Sequence, residues 1–126
     1  MALTPEKIAD IEERLKTAGL IEADDKVVEC EKGDYWAKLF LFMYDQVRGY
    51  YYFTEKAIVF VGSFGVASWS IRYKCIKEMK KCTVGLFLPI GLLLTIYDEK
   101  KGKDVSYKVA IVHKKKWMEY LEQKMK

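Results

Sequence analysis

The chain has 126 residues, of which 51% are hydrophobic and 32% are charged. These proportions exclude a wholly disordered chain, and the length is sufficient for one domain with its own hydrophobic core. Lys and Arg total 22 and Asp and Glu total 18, so the net charge is +4. This excess is smaller than that of a dedicated nucleic-acid-binding protein. We therefore expect a single domain over residues 1–126 that does not bind nucleic acid.

The first predicted element is an amphipathic helix at residues 4–19. Thr4 is a good N-cap, Pro5 suits the first helical position, and Gly19 is the expected stop. Apolar residues recur along one face of this helix: Ile8, Ile11, Leu15 and Ala18. A helix with one apolar face has to dock on another part of the protein.

Between residues 26 and 112 the hydrophobic pattern changes to that of short strands. Strands are predicted at residues 26–31, 49–54, 57–61, 68–73, 84–88, 92–97 and 105–112. Pro89 and Gly91 are interpreted as a turn between two of these strands, and residues 98–104 as a hairpin loop. Strand signals at such short intervals are typical of an antiparallel barrel or sandwich.

The last predicted element is a helix at residues 113–126. Trp117, Leu121 and Met125 fall on one face of it at helical spacing, with Tyr120 beside them. The predicted order is therefore one helix, about seven strands and one closing helix.

Several segments together resemble a known family. Residues 49–61 (GYYYFTEKAIVFV) are similar to the paired strands of GRAM domains, part of the pleckstrin-homology-like (PH-like) superfamily. Residues 71–79 (IRYKCIKEM) resemble the family's next element, and the hairpin at 92–112 and the segment 116–121 (KWMEYL) complete the match. The resemblance spans about residues 27–123 and is nearest to the bacterial PH-like proteins.

This resemblance implies a mainly β fold, a seven-stranded antiparallel bent barrel at residues 26–112 with a C-terminal capping helix. The helix at residues 4–19 is an addition to the family pattern. The resemblance also implies a non-enzymatic binding or scaffold module for phospholipid headgroups or protein segments, with no cofactor and no small-molecule substrate. We expect the ligand to be a protein partner or an anionic membrane surface.

Three features bear on the compartment. The N-terminus lacks the apolar core of a signal peptide, and the longest apolar run, residues 83–96, is shorter than the ~20 residues of a membrane-spanning helix. Three scattered cysteines do not make a disulfide framework and are interpreted as small apolar fillers: Cys30, Cys75 and Cys82. We expect a cytoplasmic protein, either free or peripherally attached to a membrane.

No residue pattern favours catalysis or a metal. His113 is the only histidine, so a small catalytic domain would have to use it, yet three lysines follow it at the predicted start of a helix. One histidine and three distant cysteines are poor zinc ligands. The acidic pairs Asp24–Asp25 and Glu29/Glu31 are predicted to face solvent. RNA binding on the aromatic residues 50–53 is the other alternative, but the sheet lacks the accompanying basic residues.

Basic residues flank the second predicted hairpin and are the candidate ligands of an anionic lipid or other anion. Arg72 and Lys74 are expected to share a strand face that points away from the core. This set comprises Arg72, Lys74, Lys77, Lys80 and Lys81. Each surface lysine contributes only about 1 kcal/mol to binding an anionic membrane. We therefore expect weak, salt-sensitive binding.

The segment 35–44 contains ten residues and a single charge, Lys38. If it is extended, alternate side chains face outward, and exposed apolar patches mark interfaces. The candidate interface residues are Trp36, Leu39, Phe40 and Phe42. Three interpretations stay open: the N-terminal helix covers this face, the chain self-associates through it, or it inserts shallowly into a membrane.

Overall fold

The computed structural model describes residues 4–40, 43–63, 67–84 and 88–125, with side chains at 38–40, 43, 44, 84, 88 and 89 left out of the description. Within these residues two helices flank seven strands. Their bounds are α1 Pro5–Thr17, β1 Val27–Phe40, β2 Met43–Thr54, β3 Ala57–Gly62, β4 Trp69–Arg72, β5 Ile76–Val84, β6 Leu88–Asp98, β7 Lys103–Ile111 and α2 Lys114–Met125.

The seven strands form one antiparallel sheet in the order β4-β3-β2-β1-β7-β6-β5. Its two edge strands, β4 and β5, are consecutive in sequence and joined by the 3-10 turn Tyr73–Cys75. The sheet therefore bends round until its edges meet at this corner. The main core takes side chains from both halves of the sheet, including Phe60, Leu94 and Val109. The predicted mainly β fold, a seven-stranded bent barrel with one helix at each end of the chain, is confirmed.

Three glycines lie in register across neighbouring strands. Gly33 on β1 pairs with Gly49 on β2, which pairs with Gly62 on β3. A Cβ atom on Gly33 would lie 2.6 Å from the Tyr51 ring and closer still to the Ala110 carbonyl oxygen. At Gly49 a Cβ atom would be blocked in the same way by the Val61 carbonyl oxygen and the Phe60 ring. Because no side chain fits at Gly33 or Gly49, core aromatic rings pack directly against the backbone there, and the sheet can bend.

Helix α2 plugs the barrel as predicted. Trp117 and Leu121 are 2% and 0% exposed. The Trp117 ring stacks on Phe53 of β2 with 3.8 Å between ring centroids, and Tyr120 meets Phe53 and Trp117 edge-on. The predicted face of this helix is therefore part of the barrel core.

Helix α1 packs on the outer face of the barrel. Leu15 and Ile21 form a small second core with Val27, Ala57 and Val59, and Ile8 and Ile11 pack against it. Thr4 Oγ1 accepts a hydrogen bond from the Lys7 amide, which confirms the predicted N-cap. This second core contains no described side chain of the segment 35–44, so the docking site of α1 lies on β1 to β3 at the other end of β1.

Three features of the strands differ from the prediction. The segment 84–88 is not a single strand, because Val84 ends β5 and Leu88 begins β6, and residues 85–87 lie outside the described residues. β5 was missed, because four of its side chains are charged and exposed at the edge of the sheet, where charges discourage unwanted pairing; these are Lys77, Glu78, Lys80 and Lys81. The predicted turn at Pro89–Gly91 lies inside β6. The β5–β6 register shifts between Cys82 and Val84, and this bulge accommodates the proline in the strand.

Candidate functional site

A pocket of about 340 Å³ lies at the corner where β4 turns into β5. Four basic side chains line it, each from a different element: Lys56 from the β2–β3 turn, Arg72 from the end of β4, Lys74 from the 3-10 turn and Lys124 from the last turn of α2. Glu22, Glu55 and Tyr73 complete the wall. The lining therefore carries a surplus of positive charge.

Thr54, buried at the end of β2, positions the elements around this pocket. Its hydroxyl donates to the Asp25 carboxylate at 2.7 Å and accepts from the Ala57 amide at 2.9 Å, which closes the β2–β3 turn. Its carbonyl oxygen accepts from the hydroxyls of Tyr73 at 2.6 Å and Tyr120 at 3.2 Å. Burial raises the pKa of Tyr73 far above its ordinary value, so its hydroxyl stays a donor. One residue thus ties together the linker after α1, the turn, the corner and α2.

We expect Thr54→Val to lower the free energy of unfolding by about 1–3 kcal/mol, because Asp25 Oδ2 and the Ala57 amide lose the hydroxyl to which they bond in this buried region. Thr95→Val is the matched control, since the Thr95 hydroxyl bonds to the Ser106 hydroxyl at 2.9 Å at the exposed surface. The control should lose no more than about 0.5 kcal/mol. Equal losses in urea unfolding would contradict the central role of Thr54.

Acidic residues already neutralise part of the positive charge. Lys56 Nζ lies 2.9 Å from both Glu22 Oε2 and Asp24 Oδ1, and the Arg72 guanidinium pairs with the other Glu22 oxygen. The hydrogen bond and charge of Lys56 lower the pKa of Asp24. Lys124 lies over the Tyr120 ring, 5.6 Å from its centroid. Lys74 is exposed and forms no ion pair with the described residues.

The structure places only two of the five predicted anion-binding residues in the pocket, Arg72 and Lys74. Lys74 lies in the 3-10 turn, so it does not share a strand face with Arg72 as predicted. The other three lie along β5: Lys77 pairs with Asp104 at 2.9 Å, Lys80 pairs with Glu78 at 2.9 Å, and Lys81 is exposed. Lys56 and Lys124 were not among the residues predicted from the sequence. The tight turn after Thr54 was the available signal for Lys56, because it places that lysine beside Arg72.

The segment 35–44 is extended where it is described, within β1 and β2. Tyr35 faces the barrel core and packs against Phe60 and Trp69, whereas Trp36 is partly buried. Leu39 and Phe40 belong to β1, but their side chains are outside the described set, and Phe42 lies outside the described residues altogether. The interface assigned to these four residues stays a prediction.

The acidic residues and cysteines differ from expectation. Asp25 and Glu31 were predicted to face solvent but are buried, with 1% and 7% exposure. Asp25 accepts a hydrogen bond from the Thr54 hydroxyl, and Glu31 Oε2 lies 3.4 Å from His113 Nδ1. Cys30 is buried, and burial raises the pKa of its thiol to about 11. Cys75 is exposed and Cys82 partly buried, so only Cys30 is the predicted apolar filler. Among the described residues no His, Cys, Asp and Glu side chains cluster as metal ligands.

Neither described helix is long and apolar enough to cross a bilayer. No known family model matches the chain, and no curated protein matches it. Among solved structures, the chain is similar to the C-terminal domain of an unknown protein from Leishmania infantum, with 14% identity and a TM-score of 0.65 over 93% of this chain and 95% of that chain. This likeness shows a shared fold.

Proposed function

We propose that this protein is a non-enzymatic PH-like or GRAM-like binding module whose pocket at the β4–β5 corner binds phosphate-bearing anions, such as those of an anionic membrane surface. The observation that carries the proposal is the convergence of Lys56, Arg72, Lys74 and Lys124 on one concave pocket from four separate elements. The strand order and the plugging helix agree with the PH-like resemblance of the sequence.

The charges of the pocket imply modest affinity. Guanidinium and ammonium groups are the usual partners of phosphate oxygens. Here Lys56 and Arg72 already pair with Glu22, and Glu55 also lines the pocket. Since each exposed lysine adds only about 1 kcal/mol at an anionic surface, binding should be weak and should weaken further as salt screens the charges.

A catalytic role for His113 has less support. Its side chain is 67% exposed and faces Glu31, and it does not line the pocket. Binding of a protein partner or of a second copy of this chain stays a prediction attached to the segment 35–44.

Vesicle sedimentation tests the proposal. The wild-type protein should sediment with phosphatidylserine-containing vesicles at low salt, not with phosphatidylcholine alone, and should be released at high salt. Lys74→Gln combined with Lys124→Gln should lose most of this binding. The matched control, Lys100→Gln with Lys101→Gln, removes the same charge from the exposed β6–β7 hairpin and should retain most of it. Equal losses in both variants, or binding that survives high salt, would contradict the pocket as the binding site.

A further inference from the structure

One acidic residue occupies the position between two of the pocket's cations. Glu22 lies in the linker between α1 and β1, and its side chain is 39% exposed. One carboxylate oxygen contacts Lys56 Nζ at 2.9 Å, and the other contacts the Arg72 guanidinium. A phosphate group bridging the same two cations would present its oxygens in the same way.

We infer that Glu22 is a built-in competitor for the pocket, so that an incoming phosphate has to displace its carboxylate from Lys56 and Arg72. The inference rests on the proposed function and adds a regulatory element to it. Glu55 lines the same pocket but forms no ion pair with the described residues, so it contributes charge without blocking a cation. Two acids in one pocket thus differ in their expected effects.

The position of Glu22 couples this competition to helix α1. A second depression of about 310 Å³ lies beneath the linker and shares three residues with the pocket: Glu22, Lys56 and Arg72. The linker is also held by Asp25, whose carboxylate accepts a hydrogen bond from the Thr54 hydroxyl. Helix α1 is held by Glu12 Oε1, which accepts a hydrogen bond from the Val27 amide at 2.9 Å. Displacing Glu22 removes one of these attachments. Because coupling between two equilibria is reciprocal, phosphate binding should loosen α1, and loosening α1 should strengthen phosphate binding.

Titration calorimetry with inorganic pyrophosphate tests the competition. Glu22→Gln should bind pyrophosphate about tenfold more tightly than the wild type, because it removes a carboxylate that forms two ion pairs. Glu55→Gln removes the same charge from the same pocket. It should tighten binding by no more than about threefold, because Glu55 acts only through its charge, which solvent and salt screen. A parallel series with phosphatidylserine vesicles distinguishes a lipid headgroup from a free phosphate as the source of the anion.

The outcomes separate this inference from the proposed function. Suppose that the wild type binds pyrophosphate through Lys74 and Lys124, but that Glu22→Gln and Glu55→Gln increase the affinity equally. Glu22 is then not a competitor, and only the inference fails. If neither the wild type nor Glu22→Gln binds pyrophosphate or vesicles, both fail. Hydrogen exchange supplies the second readout: saturating pyrophosphate should speed exchange of the α1 amides in the wild type, and unchanged exchange would overturn the coupling to α1.

Discussion

Trp117→Ala is expected to lower the free energy of unfolding by about 3–5 kcal/mol, the usual loss when a large buried side chain is truncated to alanine. Trp117 is 2% exposed and stacks on Phe53 in nearly parallel orientation, with 4° between the rings. Its removal would leave a cavity between α2 and β2, bordered by Tyr120 and Leu121. Since α2 closes the barrel, the lost stability should shift the midpoint of global unfolding to a lower urea concentration.

Two variants serve as controls for this prediction, which urea unfolding measures. Trp117→Phe retains a ring against Phe53 and should lose less than the alanine variant. Glu119→Ala changes an exposed residue of the same helix and should stay within about 0.5 kcal/mol of the parent. If Trp117→Ala unfolds at the same urea concentration as the parent, α2 does not plug the barrel and the fold described here is wrong.

Gly33→Ala should destabilise the protein by about 3 kcal/mol, at the upper end of the cost of overpacking a core. The added Cβ would overlap the backbone oxygen of Ala110 and lie 2.6 Å from the Tyr51 ring. A flexible side chain can move aside, but a carbonyl oxygen of β7 cannot move without disturbing the β1–β7 pairing, in which Asp34 faces Ala110. The substitution therefore disturbs the β1–β7 pairing at the place where the sheet bends.

Gly102→Ala is the matched control for this second prediction. Gly102 lies in the β6–β7 hairpin with φ +66°, and a Cβ there meets no atom within 4 Å. The only expected cost is the left-handed backbone conformation, about 1–2 kcal/mol. Thermal or urea unfolding of both variants separates the two causes. A smaller loss for Gly33→Ala than for Gly102→Ala would show that the glycine row is not closely packed.

Local patterns were sufficient to predict most of the elements. Three features depend only on neighbours in sequence and could therefore be predicted from it. They are the apolar stripe and N-cap of α1, the tight β2–β3 turn and the aromatic face of α2. β5 was missed because its position at the edge of the sheet favours charged residues, which hide the alternation that marks a half-buried strand. The bulge that admits Pro89 into β6 depends on its pairing with β5 and has no local signal.

The pocket was less predictable than the fold, because its residues meet only through the tertiary structure. Arg72 and Lys74 were among the candidates on the basis of local charge. Lys56 and Lys124 come from elements distant in sequence, and Glu22 belongs to a linker that carries no pattern. Lys77, Lys80 and Lys81 were predicted for the same reason as Arg72, but β5 carries them away from the corner. The density of charge along the chain therefore indicates that a region is basic. It does not show which basic residues meet in one site.

Nuclear magnetic resonance titration of the ¹⁵N-labelled protein with pyrophosphate tests the central claim most directly, because it reports on every backbone amide at once. The pocket predicts that chemical-shift changes concentrate at residues 55–57, 72–75 and 122–125, together with the linker that carries Glu22. Shift changes spread evenly over the exposed lysines, including the hairpin at 100–103, or no changes at millimolar pyrophosphate, would contradict a phosphate-binding pocket at the β4–β5 corner.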